Sequence, residues 1–95
     1  MSITYDIGFH HETNGPDGKR TQFIGWRSGF TDGDEAMEYM RSMFGKPASA
    51  LRMNAKEREG TAPDLDPNAV ITCAIVVELV NGYQQSGSSP SHYRP

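Results

Sequence analysis

The chain has 95 residues, nine basic against twelve acidic for a net charge of −3, and a single cysteine. A chain of this length holds one core and buries roughly 60–65 % of its unfolded surface, its acid excess excludes the domain-wide basic field of non-specific nucleic-acid binders, and one cysteine excludes an internal disulfide framework. Its apolar runs fall short of the roughly 20 residues that span a bilayer, and no basic-then-apolar segment opens it, so a soluble, cytoplasmic protein without membrane association is expected.

Taken in order, residues 2–11 set Ile3, Tyr5, Ile7 and Phe9 against Thr4, Asp6, Gly8 and His10, the period-two pattern of a half-buried strand. The next segment, Glu12–Arg20, combines Asn14-Gly15, Pro16-Asp17 and Asp17-Gly18, pairs that supply the φ angles of reversals, and reads as a long hairpin loop. Thr21–Phe30 returns as a second strand, with Ile24, Trp26 and Phe30 on one face and Phe23 on the other; Gly25 and Gly29 mark bulges or close backbone approaches. A helix follows, because Thr31 or Asp32 can serve as N-cap and Asp34 and Glu35 put negative charge in the first turn. Ala36, Met37, Met40, Met43 and Phe44 recur on one face of it, Glu35, Glu38, Arg41 and Ser42 lie opposite, and Gly45-Lys46-Pro47 stops it.

Beyond the helix, Ala48–Lys56 alternates weakly and reads as a short third strand, with a helix from Ala48 to Glu59 as its rival. Glu57–Pro67, charged and then proline-rich, reads as an exposed loop with Leu65 as an anchor. The longest apolar run, Ala69–Val80, is the stretch whose burial organises the fold. Seven of the eleven residues from Val70 to Val80 are β-branched, which favours a strand. Its core face would carry Ile71, Cys73, Ile75, Val77 and Leu79, and its other face Val70, Thr72, Ala74, Val76, Glu78 and Val80. A helical reading stays open, because Asp66 and Pro67 would serve as N-cap and first-turn proline. Asn81-Gly82 reverses the chain, and the serine-rich residues after it hold too little apolar surface to order themselves, so residues 1–83 read as one domain and 84–95 as a flexible tail.

Motifs that carry chemistry are sparse. His10, His11 and Glu12 are adjacent on a strand, so their side chains alternate between faces and the two imidazoles do not converge on a metal. Cys73 lies among apolar neighbours and reads as a core thiol rather than a nucleophile. The glycine-containing loops match neither a phosphate-binding nor a dinucleotide-binding pattern, and the carboxylates Asp32, Asp34, Glu35 and Glu38 are accounted for by capping. No catalytic residue, metal or cofactor is expected, and a non-enzymatic role follows. Trp26 with Arg27 beside it, Tyr5 across the hairpin and Val76 on the second face of the apolar run are the candidate partner-binding residues, because Trp, Tyr and Arg dominate interface energies. Met37, Met40 and Met43 read as core packing, with an adaptable groove as the alternative.

These elements compose an α+β domain in the order β-β-α-β-β, an antiparallel sheet with one main helix on one face. The strand, strand, capped helix layout from Ser2 to Gly45 resembles the small α+β proteins with which phages bind and inhibit host machinery, including some anti-CRISPR proteins, and the resemblance implies an inhibitor. The expected function is a protein-interaction module, either such an inhibitor or an accessory subunit, binding a protein partner or a second copy of itself as a homodimer through Val70, Val76 and Val80 with Trp26 or Phe23. Nucleic-acid binding through Lys19, Arg20 and Arg27 is the alternative, set back by so few basic residues without interleaved aromatics.

Overall fold

The computed structural model describes residues 2–85 and 90–95. Strands β1 (Ile3–Gly15) and β2 (Gly18–Phe30) form an antiparallel hairpin of 13 residues a side. Its turn is much tighter than the long loop expected at Glu12–Arg20: Gly15 pairs with Gly18, and only Pro16 and Asp17 lie between them. Proline fixes a negative φ at the first central position, which excludes the mirror-image turns, and Gly18 supplies the positive angle (φ 108°) just after it. Polar residues on both sides of the turn therefore stay in the ladder as a largely exposed ribbon.

The register slips between Phe9 and His10 and again between Tyr5 and Ile7, each time with one extra residue on β2, near Gly25 and Gly29. Each slip resets the alternation. Trp26 sits opposite Gly8 and Phe23 opposite His10, so the two rings share one face with centroids 5.6 Å apart, whereas Phe30 lies opposite Tyr5 on the other face. The expected grouping of Ile24, Trp26 and Phe30 is broken by the bulges that the two glycines mark.

Helix α1 (Gly33–Met43) starts where the capping pattern places it. The Asp32 carboxylate accepts from Asp34 N at 2.8 Å and Glu35 N at 3.3 Å, satisfying two amides that the first turn leaves without intrahelical partners. Ala36, Met40 and Met43 are buried, and Met37 and Phe44 pack more loosely on the same core. Past Phe44, Gly45 N donates to Ile71 O at 2.9 Å and ties the helix end to the apolar run.

That run is a strand, β3 (Cys73–Val80), antiparallel to β1 in a sheet ordered β2-β1-β3 and continued by β4 (Tyr83–Gln84). Residues 69–72 lead into it, with Val70 bridged to Pro47 and Ile71 N donating to Lys46 O at 2.9 Å. Asn81 (φ 52°) and Gly82 (φ 85°) then form a two-residue turn with both central residues in the left-handed region, a conformation for which Asn-Gly is the preferred pair. Strand β4 (Tyr83–Gln84) returns along Val80 and Leu79, and β5 (Ser91–Tyr93) pairs with the same edge at Val76, Ile75 and Ala74. The order is thus β-β-α-β-β with β5 added. The third strand is Cys73–Val80, not Ala48–Lys56, whose first residues form a short 3-10 helix (Ala48–Ala50) held by Ala48 N to Ala69 O and Ser49 N to Pro67 O.

Residues 90–95, read from sequence as part of a flexible tail, carry β5; Tyr93 rests on the core and Arg94 reaches Glu12 at 3.0 Å. Residues 86–89 of that tail lie outside the described residues. Removing residues 91–95 is expected to lower stability by about 1–2 kcal/mol through lost burial of Tyr93 and to speed amide exchange along β3. An unchanged melting temperature would mean that β5 contributes nothing.

The faces of β3 are used in the sense opposite to that expected. Ala74, Val76, Glu78 and Val80 share the side of Ile7, Phe9 and the helix, while Cys73, Ile75, Val77 and Leu79 point away. Side-chain size sets this register. Phe9, fully buried, lies between Gly25 and Ala74, and Gly8 lies between Trp26 and Ile75, so each strand of the trio is large where its neighbour is small. Ile71 does reach the core, but from the lead-in segment. Cys73 is half-buried on the outer face, its Sγ 3.9 Å from Glu12 Oε2, rather than in the core.

Residues 51–61 run along the free edge of β2. Trp26 N donates to Glu57 O at 2.9 Å, Ser28 N to Glu57 Oε2 at 2.6 Å, and Thr61 Oγ1 to Ile24 O at 2.7 Å. These are groups that an edge strand otherwise offers to solvent or to another chain. Glu57, expected in an exposed loop, is instead the buried charged residue of the described chain at 8 % exposure, and its Oε1 also accepts from Asn54 N at 3.0 Å. No helix among the described residues is long and apolar enough to cross a membrane.

Candidate functional site

The helix roofs only part of the face it packs on. It lies over β1 and β2, where Phe9 and Phe30 meet Tyr39 with ring centroids 6.2 and 5.5 Å apart. The β3–β5 side of the same face is left as a hollow of about 430 Å³ between α1 and the sheet edge. Its floor is Val76 and Val80, its helix wall Met37 and Asp34, and Glu78 stands beside the floor. Tyr5, opposite Glu78 on β1, and Tyr93, opposite Ala74 on β5, occupy diagonal corners with Val76 between them. Tyr5 is braced by the start of the helix, because a Cβ on Gly33 would lie 3.3 Å from its Cζ. An apolar floor with a few converging polar groups is the general form of a recognition site.

Two of the four expected contact residues, Tyr5 and Val76, line this hollow, and the other two lie elsewhere. Trp26 is on the opposite face of the sheet, half-buried over Gly8 and Ile75, beside a second hollow of about 340 Å³ that it shares with Asp6, Lys56, Glu59 and Val77. Arg27 is turned to the helix side and consumed internally. Its guanidinium lies 5.2 Å from the Tyr39 ring centroid, Nη1 donates to Arg52 O at 2.6 Å and to Tyr39 Oη at 3.3 Å, and Nε sits 3.8 Å from Glu57 Oε2. Trp26, Arg27 and Tyr5 therefore do not form one patch, and the proposed dimer face, Val76 and Val80 with Trp26 or Phe23, is divided between the two sides of the sheet.

Tyr93, Glu78 and Asp34 were not singled out for this role by sequence reasoning, whereas Met37 was weighed as part of an adaptable groove and read as core packing. Tyr93 is the aromatic of the polar terminal segment, which is the signal that could have found it. Asp34 and Met37 were explained by the helix start and the helix stripe, readings that both hold without excluding a second use.

A third hollow, about 300 Å³ on the outer face, brings together His10, Glu12, Cys73, His92 and Arg94. Burial holds the His10 imidazole below its ordinary range, His92 pushes the same way, and the backbone of Gly8 opposes them. His10 turns its ring edge to Phe23 (5.5 Å between centroids), while His11, on the other side of the strand, donates from Nδ1 to Val70 O at 2.7 Å. Glu12 is engaged with Lys19 at 3.4 Å and with Arg94. Among the described residues no group of three or more His, Cys, Asp and Glu side chains is placed to hold a metal ion. No protein-family model matches the chain, and comparisons with curated proteins and with solved structures return no significant match.

Proposed function

We propose that this chain is a small non-enzymatic protein-interaction module, an inhibitor or accessory subunit, that receives part of a protein partner in the hollow between Tyr5 and Tyr93. The observation that carries the reading is the unroofed half of the helix-side face, where Val76 and Val80 form an apolar floor that the chain's own helix does not cover. Tyrosines at two corners supply large contact area at low entropic cost, as interface anchors do. The layout shared with phage inhibitors of host machinery gives the reading its specific form, an inhibitor that occupies a site on a larger partner. Nucleic-acid binding has less support, because Lys19 and Arg20 are paired with Glu12 and Asp17 and Arg27 is built into the fold.

The test is selection from a displayed library of random heptapeptides. Enriched peptides are expected to lose binding to a Val80→Trp variant, whose indole fills the hollow, and to keep it with Trp26→Leu on the opposite face. Peptides that ignore Val80→Trp, or a library that yields no binder, would remove the hollow as the interaction site.

A further inference from the structure

The charges of the described residues around the hollow are of one sign: among those that line it, only Asp34 and Glu78 are charged, and no lysine, arginine or histidine is present. Three carboxylates elsewhere are matched with cations, Glu12 with Lys19 and Arg94, Asp17 with Arg20, and Glu57 with Arg27. Among the described residues, Asp34 and Glu78 take part in no such pair. The start of α1 contributes about half a positive charge, but Asp32, Asp34 and Glu35 stand within its first turn and its cap, and Asp32 already occupies the amides of Asp34 and Glu35. The described formal charges at the hollow are negative on balance, which disfavours an anion at this helix end.

From this, and resting on the interaction-module reading above, we infer that the hollow takes the side chain of an arginine or lysine presented by a peptide segment of the partner. The parts fit that occupant. Long basic side chains carry an aliphatic stem that packs on apolar surface while the charged head stays at the rim, and here Val76, Val80 and Met37 lie below while Asp34 and Glu78 stand at the sides. Tyr5 and Tyr93 add two aromatic rings to the lining, a side-chain type that attracts cations, and both are held in place, Tyr5 by Gly33 and Tyr93 by strand pairing with Ala74. A side chain carried on a peptide is favoured over a free amine because two solvent-screened carboxylates hold a lone cation weakly, whereas neighbouring peptide contacts add to the same binding event.

The inference is tested by titrating the isotopically labelled protein with Ac-Gly-Gly-Arg-Gly-Gly-NH2, with the same peptide carrying glutamate instead, and with agmatine, following amide and methyl resonances. The arginine peptide is expected to move Val76, Glu78, Val80 and Tyr93, to bind roughly tenfold more weakly to the Asp34→Asn/Glu78→Gln double variant, and to weaken with added salt. Dispersed spectra and an intact Asp32 cap establish that this variant is folded. Equal shifts from the glutamate peptide, or none at these residues from the arginine peptide, would overturn the charge assignment. Agmatine binding as tightly as the peptide would overturn the peptide source. The heptapeptide selection separates the two ideas: binders that need the hollow but show no enrichment of arginine or lysine leave the interaction module standing and sink this inference alone.

Discussion

Replacing Glu57 with alanine is expected to lower the stability of the fold by about 2–4 kcal/mol. The residue is 8 % exposed, and its carboxylate accepts from Ser28 N at 2.6 Å and Asn54 N at 3.0 Å. Its removal strands two amides and takes the counter-charge from Arg27, whose Nε has no hydrogen-bond partner and depends on the carboxylate 3.8 Å away. Arg27 remains 30 % exposed, so water recovers part of the loss and the expected range stops short of a fully buried pair. Glu57→Gln retains an acceptor for one of the two amides and should fall between alanine and the parent. Urea midpoints at constant slope measure all three. A loss below about 1 kcal/mol for alanine would mean that water replaces the carboxylate and that the edge of β2 is held by main-chain contacts alone.

Gly8→Ala is expected to cost about 1–3 kcal/mol by overpacking. A Cβ there would lie 3.0 Å from Trp26 Cζ3 and 3.1 Å from Ile75 Cγ1, between two side chains on neighbouring strands. Both side chains would have to give by a few tenths of an ångström to admit it. Trp26 is the single tryptophan, so its emission reports the displacement directly. An alanine variant with parental emission and melting temperature would show that Trp26 is free to lift off Gly8, and that the outer face is looser than its contacts indicate.

Local rules carried much of the fold. Asp32, Asp34 and Glu35 marked the helix start, Asn81-Gly82 the β3–β4 turn, and the alternation from Ile3 to Phe9 the core face of β1, because each signal acts over a few residues and needs no partner to be read. The orientation of β3 was hidden for the opposite reason. Taken alone, Cys73, Ile75, Val77 and Leu79 are its more uniformly apolar set, yet Phe9 requires the small Ala74 beside it and Gly8 admits Ile75, and both constraints come from a distant strand. Glu57 was equally illegible: nothing in Glu57-Arg58-Glu59 distinguishes the carboxylate that closes a sheet edge from the one that faces water. At the candidate site, Tyr5 and Val76 were singled out and Tyr93 was not, since its placement depends on pairing that three residues at a chain end do not announce.

The central position of β1 bears on how the chain reaches this state. Its partner β2 follows across a two-residue turn, but contacts to the segment leading into β3, such as Glu12 N to Thr72 Oγ1, span 60 residues. The hairpin and the helix can therefore assemble early from local contacts, while one side of a 13-residue strand waits for a distant segment to close on it. Long-range closures of this kind limit folding speed and leave strand edges open to other chains in the interval. The alternation of bulky and bare positions along Gly8 and Phe9 then acts as a selector: a β3 arriving one residue out of step would set Ile75 against Phe9 and Val76 against Gly8, crowding the buried ring that Gly25 and Ala74 leave room for, so that register is disfavoured.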